Sequence, residues 1–70
     1  MENFKINKNL ENRNIIQIML AERHGESIED FISKHSEDFG NTVESHPEFL
    51  DEFETDKEKA LKDIEGIIYH

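Results

Sequence analysis

Between residues 28 and 39, apolar side chains recur at the spacing that places them on one face of a helix. They occupy positions i, i+3, i+4 and i+11, with His35 at i+7, and they are Ile28, Phe31, Ile32 and Phe39. Ser27 followed by Asp30 resembles a capping box with Asp in place of the usual Glu or Gln, so we predict that a helix begins after Ser27. The pair Gly40-Asn41 is typical of a helix end, and we predict that this helix ends there.

A second apolar pattern runs from residue 49 to residue 67. At 100° per residue its members fall within about 120° of arc, and they are Phe49, Leu50, Phe53, Ala60, Leu61, Ile64 and Ile67. Ser45-His46-Pro47-Glu48 has the order of a capping box, and proline is tolerated in a first turn. The shared phase predicts one helix over about residues 46–65. The alternative is a new helix that is capped within Thr55-Asp56-Lys57-Glu58, but the unbroken phase favours a single helix.

A further helix is predicted near the N-terminus, between a cap at Asn9 or Asn12 and an end at Arg23 or His24. Gly25 is suited to the left-handed position that commonly follows a helix. The apolar residues of this helix cover more than one stripe, and they are Ile15, Ile16, Ile18, Met19 and Leu20. A helix that is apolar around so much of its girth is buried on two sides. In so short a chain, we expect a partner subunit to cover the second side.

Two terminal segments have patterns that are compatible with strands. Residues 3–8 begin with Phe4 and Ile6 in alternation with polar residues, which indicates a short strand. We expect Gly66 to end the last helix. The segment Ile67-Ile68-Tyr69 is then either a last strand, paired with residues 3–7, or a docking segment in a dimer. The predicted fold class is mainly α, a small three-helix domain, and α+β is the alternative if the terminal strands form.

The length of the chain, 70 residues, predicts a single domain over residues 1–70. A domain of this size buries only about 60% of the surface that its unfolded chain exposes, so its stability is marginal. The chain has no cysteine, and a disulfide therefore cannot supply the missing stability. We predict a homodimer instead. The residues expected at its interface are Ile15, Ile18, Met19, Ile67, Ile68 and Tyr69.

Negative charge is concentrated in the middle of the chain. The segment from Glu26 to Asp56 contains eleven carboxylates and one base, Lys34, within a chain of formal net charge −9. Phosphates would be repelled by this field, which argues against binding to nucleic acid or to an anionic membrane, whereas a basic protein surface would be attracted. No apolar run approaches the roughly 20 residues of a membrane-spanning helix, and we expect a cytoplasmic protein.

The predicted helix over residues 46–65 carries acids at i, i+4 and i+8, namely Glu48, Glu52 and Asp56, with Asp51 beside them. Like charges at this spacing cost about 0.2–0.5 kcal/mol per pair, so folding alone does not favour them. Their rise of about 6 Å per step is close to the spacing of phosphates along a DNA strand. The alternative is an ordinary solvated acidic face. The predicted phosphate-mimicking residues are Glu48, Asp51, Glu52, Asp56, Glu44, Glu37, Asp38, Glu26, Glu29 and Asp30.

The sequence does not indicate catalysis. It lacks a Gly-rich phosphate loop and a nucleophile-with-base motif, and the four histidines lack metal-ligand spacing. We therefore predict no enzyme activity, no catalytic residues, no metal and no cofactor. Residues 20–34 loosely resemble a helix-turn-helix, but the second helix would present Glu29 and Asp30 to DNA phosphates. Direct binding to nucleic acid is therefore not expected.

In size, acidity and lack of cysteine, the chain resembles the small acidic phage proteins that imitate DNA, among them a Bacillus-phage inhibitor of the nucleoid protein HU. The resemblance covers overall character and transfers no residues. It implies a homodimer in the host bacterial cytoplasm that blocks the DNA-binding surface of an HU-like or other basic DNA-binding protein. The alternative is a small interaction module or regulator that binds its partner by apolar contacts, with the acids serving only solubility.

Overall fold

The computed structural model describes the backbone of residues 2–69 and the side chains of residues 8–69. Within these residues the chain forms four helices, which are α1 (Glu2–Arg23), α2 (Ile28–Ser45), α3 (Glu48–Thr55) and α4 (Lys57–Ile68). The mainly α fold class is confirmed, but the predicted number of three helices is wrong. Residues 2–69 contain no strand, so the α+β alternative is also wrong for this part of the chain. The segments predicted as terminal strands are helical, residues 3–8 in α1 and residues 67–68 in α4.

The first helix is longer than the sequence predicts. It begins at Glu2, so a cap at Asn9 or Asn12 is wrong, and it ends at Arg23 as predicted. Gly25 follows with a φ of +67°, a left-handed conformation that glycine adopts without steric cost.

The turn after α1 is closed by backbone hydrogen bonds, since the N–H of Glu26 donates to the carbonyl of Ala21 at 2.8 Å. With the N–H groups of His24 and Gly25, this bond satisfies the carbonyls of Leu20, Ala21 and Glu22, and the chain reverses into α2.

The start of α2 is set by a local hydrogen bond. The Ser27 hydroxyl accepts from the N–H of Asp30 at 3.1 Å, which confirms Ser27 as the N-cap. The predicted end at Gly40 is wrong, because the helix continues to Ser45 and thereby buries Thr42 and Val43. A glycine inside a helix costs about 1 kcal/mol relative to alanine, and burial of the residues beyond it offsets that cost.

Asp56 separates two helices where the sequence predicts one. Its φ of −147° and ψ of 88° lie outside the helical region. Its backbone N–H donates to the carbonyl of Glu52 at 2.7 Å and closes α3, while its side chain accepts from the N–H of Lys59 at 3.2 Å and begins α4. The single helix over residues 46–65 is therefore wrong, and the alternative with a cap in this segment is correct. The capping role of Ser45 is also wrong, because the N-cap of α3 is Pro47.

The dual role of Asp56 gives a prediction about stability. We expect Asp56→Ala to lower the free energy of unfolding by about 1 kcal/mol, the usual cost of losing an N-cap. Asp56→Asn should be nearly neutral, because asparagine caps as well as aspartate. Urea denaturation followed by circular dichroism measures both variants. Equal stability of the two would contradict a cap at this position.

The core lies between all four helices, each of which contacts the other three. Its buried side chains are Ile16, Leu20, Ala21, Phe31, Phe39, Val43, Leu50, Phe53, Ala60, Leu61, Ile64 and Ile68. The last of these is buried because α4 continues through Gly66, where the sequence predicts its end. Lys57 opens α4 with its ammonium 5.4 Å from the centroid of the Phe53 ring, a distance compatible with a cation–π contact.

Candidate protein-interaction surface

The outer side of α2 carries acids at seven-residue intervals, Asp30, Glu37 and Glu44. A seven-residue step returns to the same side of a helix within about 20° and advances about 10.5 Å along its axis. Glu37 lies two residues before the buried Phe39, about 160° away around the helix. All three carboxylates are exposed. We call these three residues the α2 acidic row.

The α2 acidic row is not neutralised within the protein. Among residues 8–69, no base lies within 4.0 Å of its carboxylates, and Glu29 and Asp38 on the same helix are likewise exposed and without an ion pair. The only Lys or Arg on α2, Lys34, lies 3.4 Å from Glu26, and His35 also contacts Glu26. These five predicted site residues therefore share one helix and remain available to a partner.

The acids predicted as a row on one helix are not one row in the structure. Asp56 lies beyond the break after α3, and its carboxylate is the cap of α4. Glu52 is half-buried, and its Oε2 accepts from Lys59 Nζ at 2.9 Å, while its Oε1 is buried. Hydrogen bonding to Glu52 raises the pKa of Lys59. Both carboxylates are thus engaged within the protein.

Two acids of α3 remain accessible. Asp51 is exposed and has no ion pair among the described residues. Glu48 is also exposed, although its Oε2 lies 3.2 Å from His46 Nδ1. A hydrogen bond from its own backbone N–H, followed by the contact with His46, lowers the pKa of Glu48. Both positions are in the first turn of α3, where the helix dipole favours negative charge.

Glu26 joins the α1–α2 turn to the end of α4. The hydroxyl of Tyr69 donates to its Oε1 at 2.8 Å, and the nearest ring nitrogen of His35 is 3.7 Å from its Oε2. The hydrogen bond from Tyr69 is the main cause that lowers the pKa of Glu26. Burial, followed by the same hydrogen bond, raises the pKa of Tyr69. Glu26 is therefore ionised but occupied, unlike the α2 acidic row.

Next to this bond, charged and aromatic side chains also hold the α1–α2 turn against the end of α4. Arg23 Nε donates to Glu65 Oε2 at 2.8 Å, and the Arg23 guanidinium also contacts Glu58 at 3.1 Å. His24 Nε2 lies 2.9 Å from Glu65 Oε2, and the His24 ring stacks on Tyr69 with centroids 3.7 Å apart. Hydrogen bonding to Arg23 lowers the pKa of Glu65. We call Arg23, His24, Glu26, Glu65 and Tyr69 the terminal clamp.

The terminal clamp was not predicted from the sequence. Its contacts join residues 41 to 43 positions apart, such as Tyr69 with Glu26. Spacing patterns within a few residues cannot predict such contacts, because the contacts depend on how α4 packs against the α1–α2 turn.

The residues predicted to form a dimer interface have different environments. Ile68 is 6% exposed and belongs to the core, Met19 packs against the core, and Tyr69 is part of the terminal clamp. Ile15, Ile18 and Ile67 are 36%, 50% and 38% exposed. The structure thus places the C-terminal segment largely inside the protein and leaves part of α1 uncovered.

An apolar groove lies between α1 and α2. Its lining consists of Asn14, Gln17, Ile18, Ile28 and Ile32. The three isoleucines are 50%, 39% and 47% exposed, and none of the five residues is charged. We call this surface the neutral groove.

Residues 8–69 contain no group of three or more His, Asp or Glu side chains placed to hold a metal ion. Within the described helices, none combines the length and the apolar character needed to cross a membrane. No family model matches the chain, and neither a curated protein nor a solved structure matches it.

Proposed function

We propose that the protein is an electrostatic mimic of DNA that occupies the DNA-binding surface of a basic protein, with an HU-like nucleoid protein as the preferred class. The observation that carries this proposal is the α2 acidic row, whose carboxylates are exposed and have no base beside them. Carboxylates placed only for solubility would tolerate neighbouring lysines. A binding surface for a basic protein requires an uncompensated field.

The spacing of the α2 acidic row is compatible with this role. Its step of about 10.5 Å along the helix axis is close to the rise of three base pairs, about 10 Å at 3.4 Å each. The row extends over two such steps, from Asp30 to Glu44, with Asp38 beside it. Basic side chains that contact phosphates could pair with these carboxylates in the same way.

A homodimer would strengthen the mimic. Two copies would carry a charge near −18, twice the −9 of one chain, and would present two acidic rows related by a two-fold axis. A dimeric target with two-fold symmetry would meet both rows. The sites at Glu48 and Asp51 extend the same field, whereas Glu26, Glu52 and Asp56 contribute charge without being free to pair.

The test is competition with DNA. Labelled duplex bound to a purified HU-like protein is titrated with this protein, and displacement is followed by fluorescence anisotropy. We expect Glu37→Gln/Glu44→Gln to weaken displacement about three- to tenfold, since an exposed ion pair contributes roughly 0.2–1 kcal/mol.

The matched control is Glu11→Gln/Glu58→Gln, which removes one exposed acid from α1 and one from α4, outside the α2 acidic row, and leaves the same net charge of −7. We expect it to change displacement less than twofold. Equal weakening by both double variants would contradict a role for the α2 acidic row and would reduce the effect to net charge. Absence of displacement by the wild-type protein would refute the mimic itself.

Salt separates this proposal from the alternative of an apolar interaction module. Binding through the α2 acidic row should fall steeply between about 50 and 300 mM salt, because exposed charges are screened over a Debye length of about 14 to 6 Å in that range. Binding that hardly changes over this range would favour the apolar module.

A further inference from the structure

We propose that the neutral groove is the surface through which two copies of this chain associate. The inference builds on the homodimer described above and is independent of the DNA-mimic role. It places the interface on the α1–α2 pair, between Ile18 of α1 and Ile28 and Ile32 of α2. The C-terminal segment, where the sequence predicts part of the interface, is largely occupied within the protein.

The charge of the chain favours a second copy as the occupant. Two molecules of net charge −9 repel each other wherever acidic faces meet. The five residues that line the neutral groove carry no charge, so the centre of a contact there contains no carboxylate, and the nearest acids along the two helices, Glu22 and Glu29, lie at its border. A basic partner, in contrast, would find no acid to pair with inside the groove. The same surface on another copy is both apolar and neutral, and therefore complements it.

The distribution of exposed apolar side chains supports the same face. Among the described residues, six large hydrophobic side chains are exposed, and three of them line the neutral groove. A two-fold interface uses the same patch on both copies, so it buries these three side chains in each of them. Removal of apolar surface from water is the main favourable contribution to such association.

The available area is smaller than that of a standard interface and corresponds to a weak dimer. A standard interface buries about 800 Å² per partner, which is roughly a sixth of the 4782 Å² accessible surface of this chain. The 18 residues of α2 extend about 27 Å, and two helices packed 8–10 Å apart present a face about 20 Å wide. That face has a flat footprint of about 500 Å², and its protruding side chains add accessible surface.

Dimerisation through the neutral groove leaves the proposed binding surface free. Glu37 follows Ile32 by five residues, which places it about 140° away around α2. The α2 acidic row of each copy therefore points away from the interface. Acids also border the groove, because Glu22 follows Ile18 by four residues and Glu29 precedes Ile32 by three. Screening of these acids should make the dimer tighter as salt increases, which is opposite to the effect expected for binding a basic partner.

The experiment is sedimentation equilibrium of the full chain between about 10 and 200 μM, at two salt concentrations. We expect a wild-type dimer whose dissociation constant falls with added salt. Ile18→Glu and Ile32→Lys should each raise that constant at least about 100-fold, because either transfers a charge from water into an apolar contact on both copies. The two substitutions change the net charge in opposite directions, to −10 and −8, so a shared effect cannot arise from net charge.

Two further variants complete the design. Lys62→Gln also gives a net charge of −10 but lies on the exposed side of α4, and it should leave the dimer intact. Ile67→Glu tests the C-terminal interface that the sequence predicts, and it should also leave the dimer intact. A monomeric wild-type protein, or a dimer that survives both groove substitutions, would overturn the proposal, and dissociation by Ile67→Glu alone would instead place the interface at the C-terminal segment. Circular dichroism shows that each variant is folded, and two groove positions on different helices keep the test valid if one variant unfolds.

Discussion

Phe31→Ala should lower the free energy of unfolding by about 3–5 kcal/mol, the usual cost of removing a buried aromatic side chain. Phe31 is 0% exposed, and its ring lies 6.4 Å from that of Phe39 and 6.5 Å from that of Tyr69 between centroids. It therefore links α2 to the end of α4. A 70-residue domain has a total stability of about 3.5–10 kcal/mol, so this single change should leave much of the protein unfolded.

Urea denaturation at pH 7, followed by far-ultraviolet circular dichroism, measures this loss. Phe31→Leu retains most of the apolar volume and should cost about 1–2 kcal/mol, which keeps the position measurable if the alanine variant does not fold. Leu10→Ala is the matched control, since Leu10 is 52% exposed and its truncation should cost less than about 1 kcal/mol. Similar losses for Phe31→Ala and Leu10→Ala would contradict the position of the core.

The parts of the fold that local chemistry determines were predictable from the sequence. The start of α2 depends on a hydrogen bond between Ser27 and Asp30, three residues apart, and the end of α1 depends on Gly25 in a left-handed conformation. Both signals lie within a few neighbouring residues. The apolar face of α2 was predictable only in part, since Phe31 and Phe39 are buried at helical spacing, whereas Ile28 and Ile32 of the same predicted face are exposed.

The break at Asp56 shows the limit of apolar phase as evidence. Two helices that bury their faces against the same core can keep one phase across a turn between them. Phase therefore does not distinguish one helix from two, and the capping potential of Asp56 had to be weighed separately. The same limit applies to Gly40 and Gly66, which remain helical because the residues beyond them, Val43 and Ile68, are buried.

The candidate site could be predicted only in part. Composition located the acids, but it could not separate those that bind partners within the chain from those that remain free. Glu52 is engaged by Lys59 and Glu26 by Tyr69, and the second of these contacts spans 43 residues. The free acids of α2 were included in the predicted set, but the four-residue spacing of the acids favoured α3. Their availability follows from the fold.

The terminal clamp gives the second large expected effect, because Tyr69→Ala removes a half-buried ring and its hydroxyl together. We expect a loss of about 2 kcal/mol in the free energy of unfolding, below the 3–5 kcal/mol of a fully buried aromatic residue because the ring is partly exposed. Tyr69→Phe is the matched variant. It retains the stacking on His24 and loses only the hydrogen bond to Glu26, at a cost of about 1 kcal/mol.

The contribution of the hydroxyl should depend on pH with a defined sign. In the folded protein the pKa of Glu26 is below its ordinary value of 4.5, chiefly because Tyr69 donates to its carboxylate. A carboxylate with a lowered pKa stabilises the fold above its unfolded pKa, and this contribution is lost as the pH falls through its folded pKa. The stability difference between the wild type and Tyr69→Phe should therefore be full at pH 7 and should shrink as the pH falls below 4.5.

The same protein should also lose stability at alkaline pH. The pKa of Tyr69 is raised above its ordinary 10.0 in the folded state, first by burial and then by the bond to Glu26. A group with a raised pKa stabilises the fold fully below its unfolded pKa, and this contribution is lost as the pH rises through its folded value. Urea midpoints of the wild type, Tyr69→Phe and Tyr69→Ala at pH 3, 7 and 10.5 measure the loss of stability at acid pH and the loss at alkaline pH. Glu65, whose pKa is also lowered, contributes to the loss of stability at acid pH in all three proteins. Only the differences between the proteins therefore measure the contribution of the Tyr69 hydroxyl. A wild-type advantage over Tyr69→Phe that is equal at pH 3 and pH 7 would show that the hydroxyl does not act through the ionised Glu26.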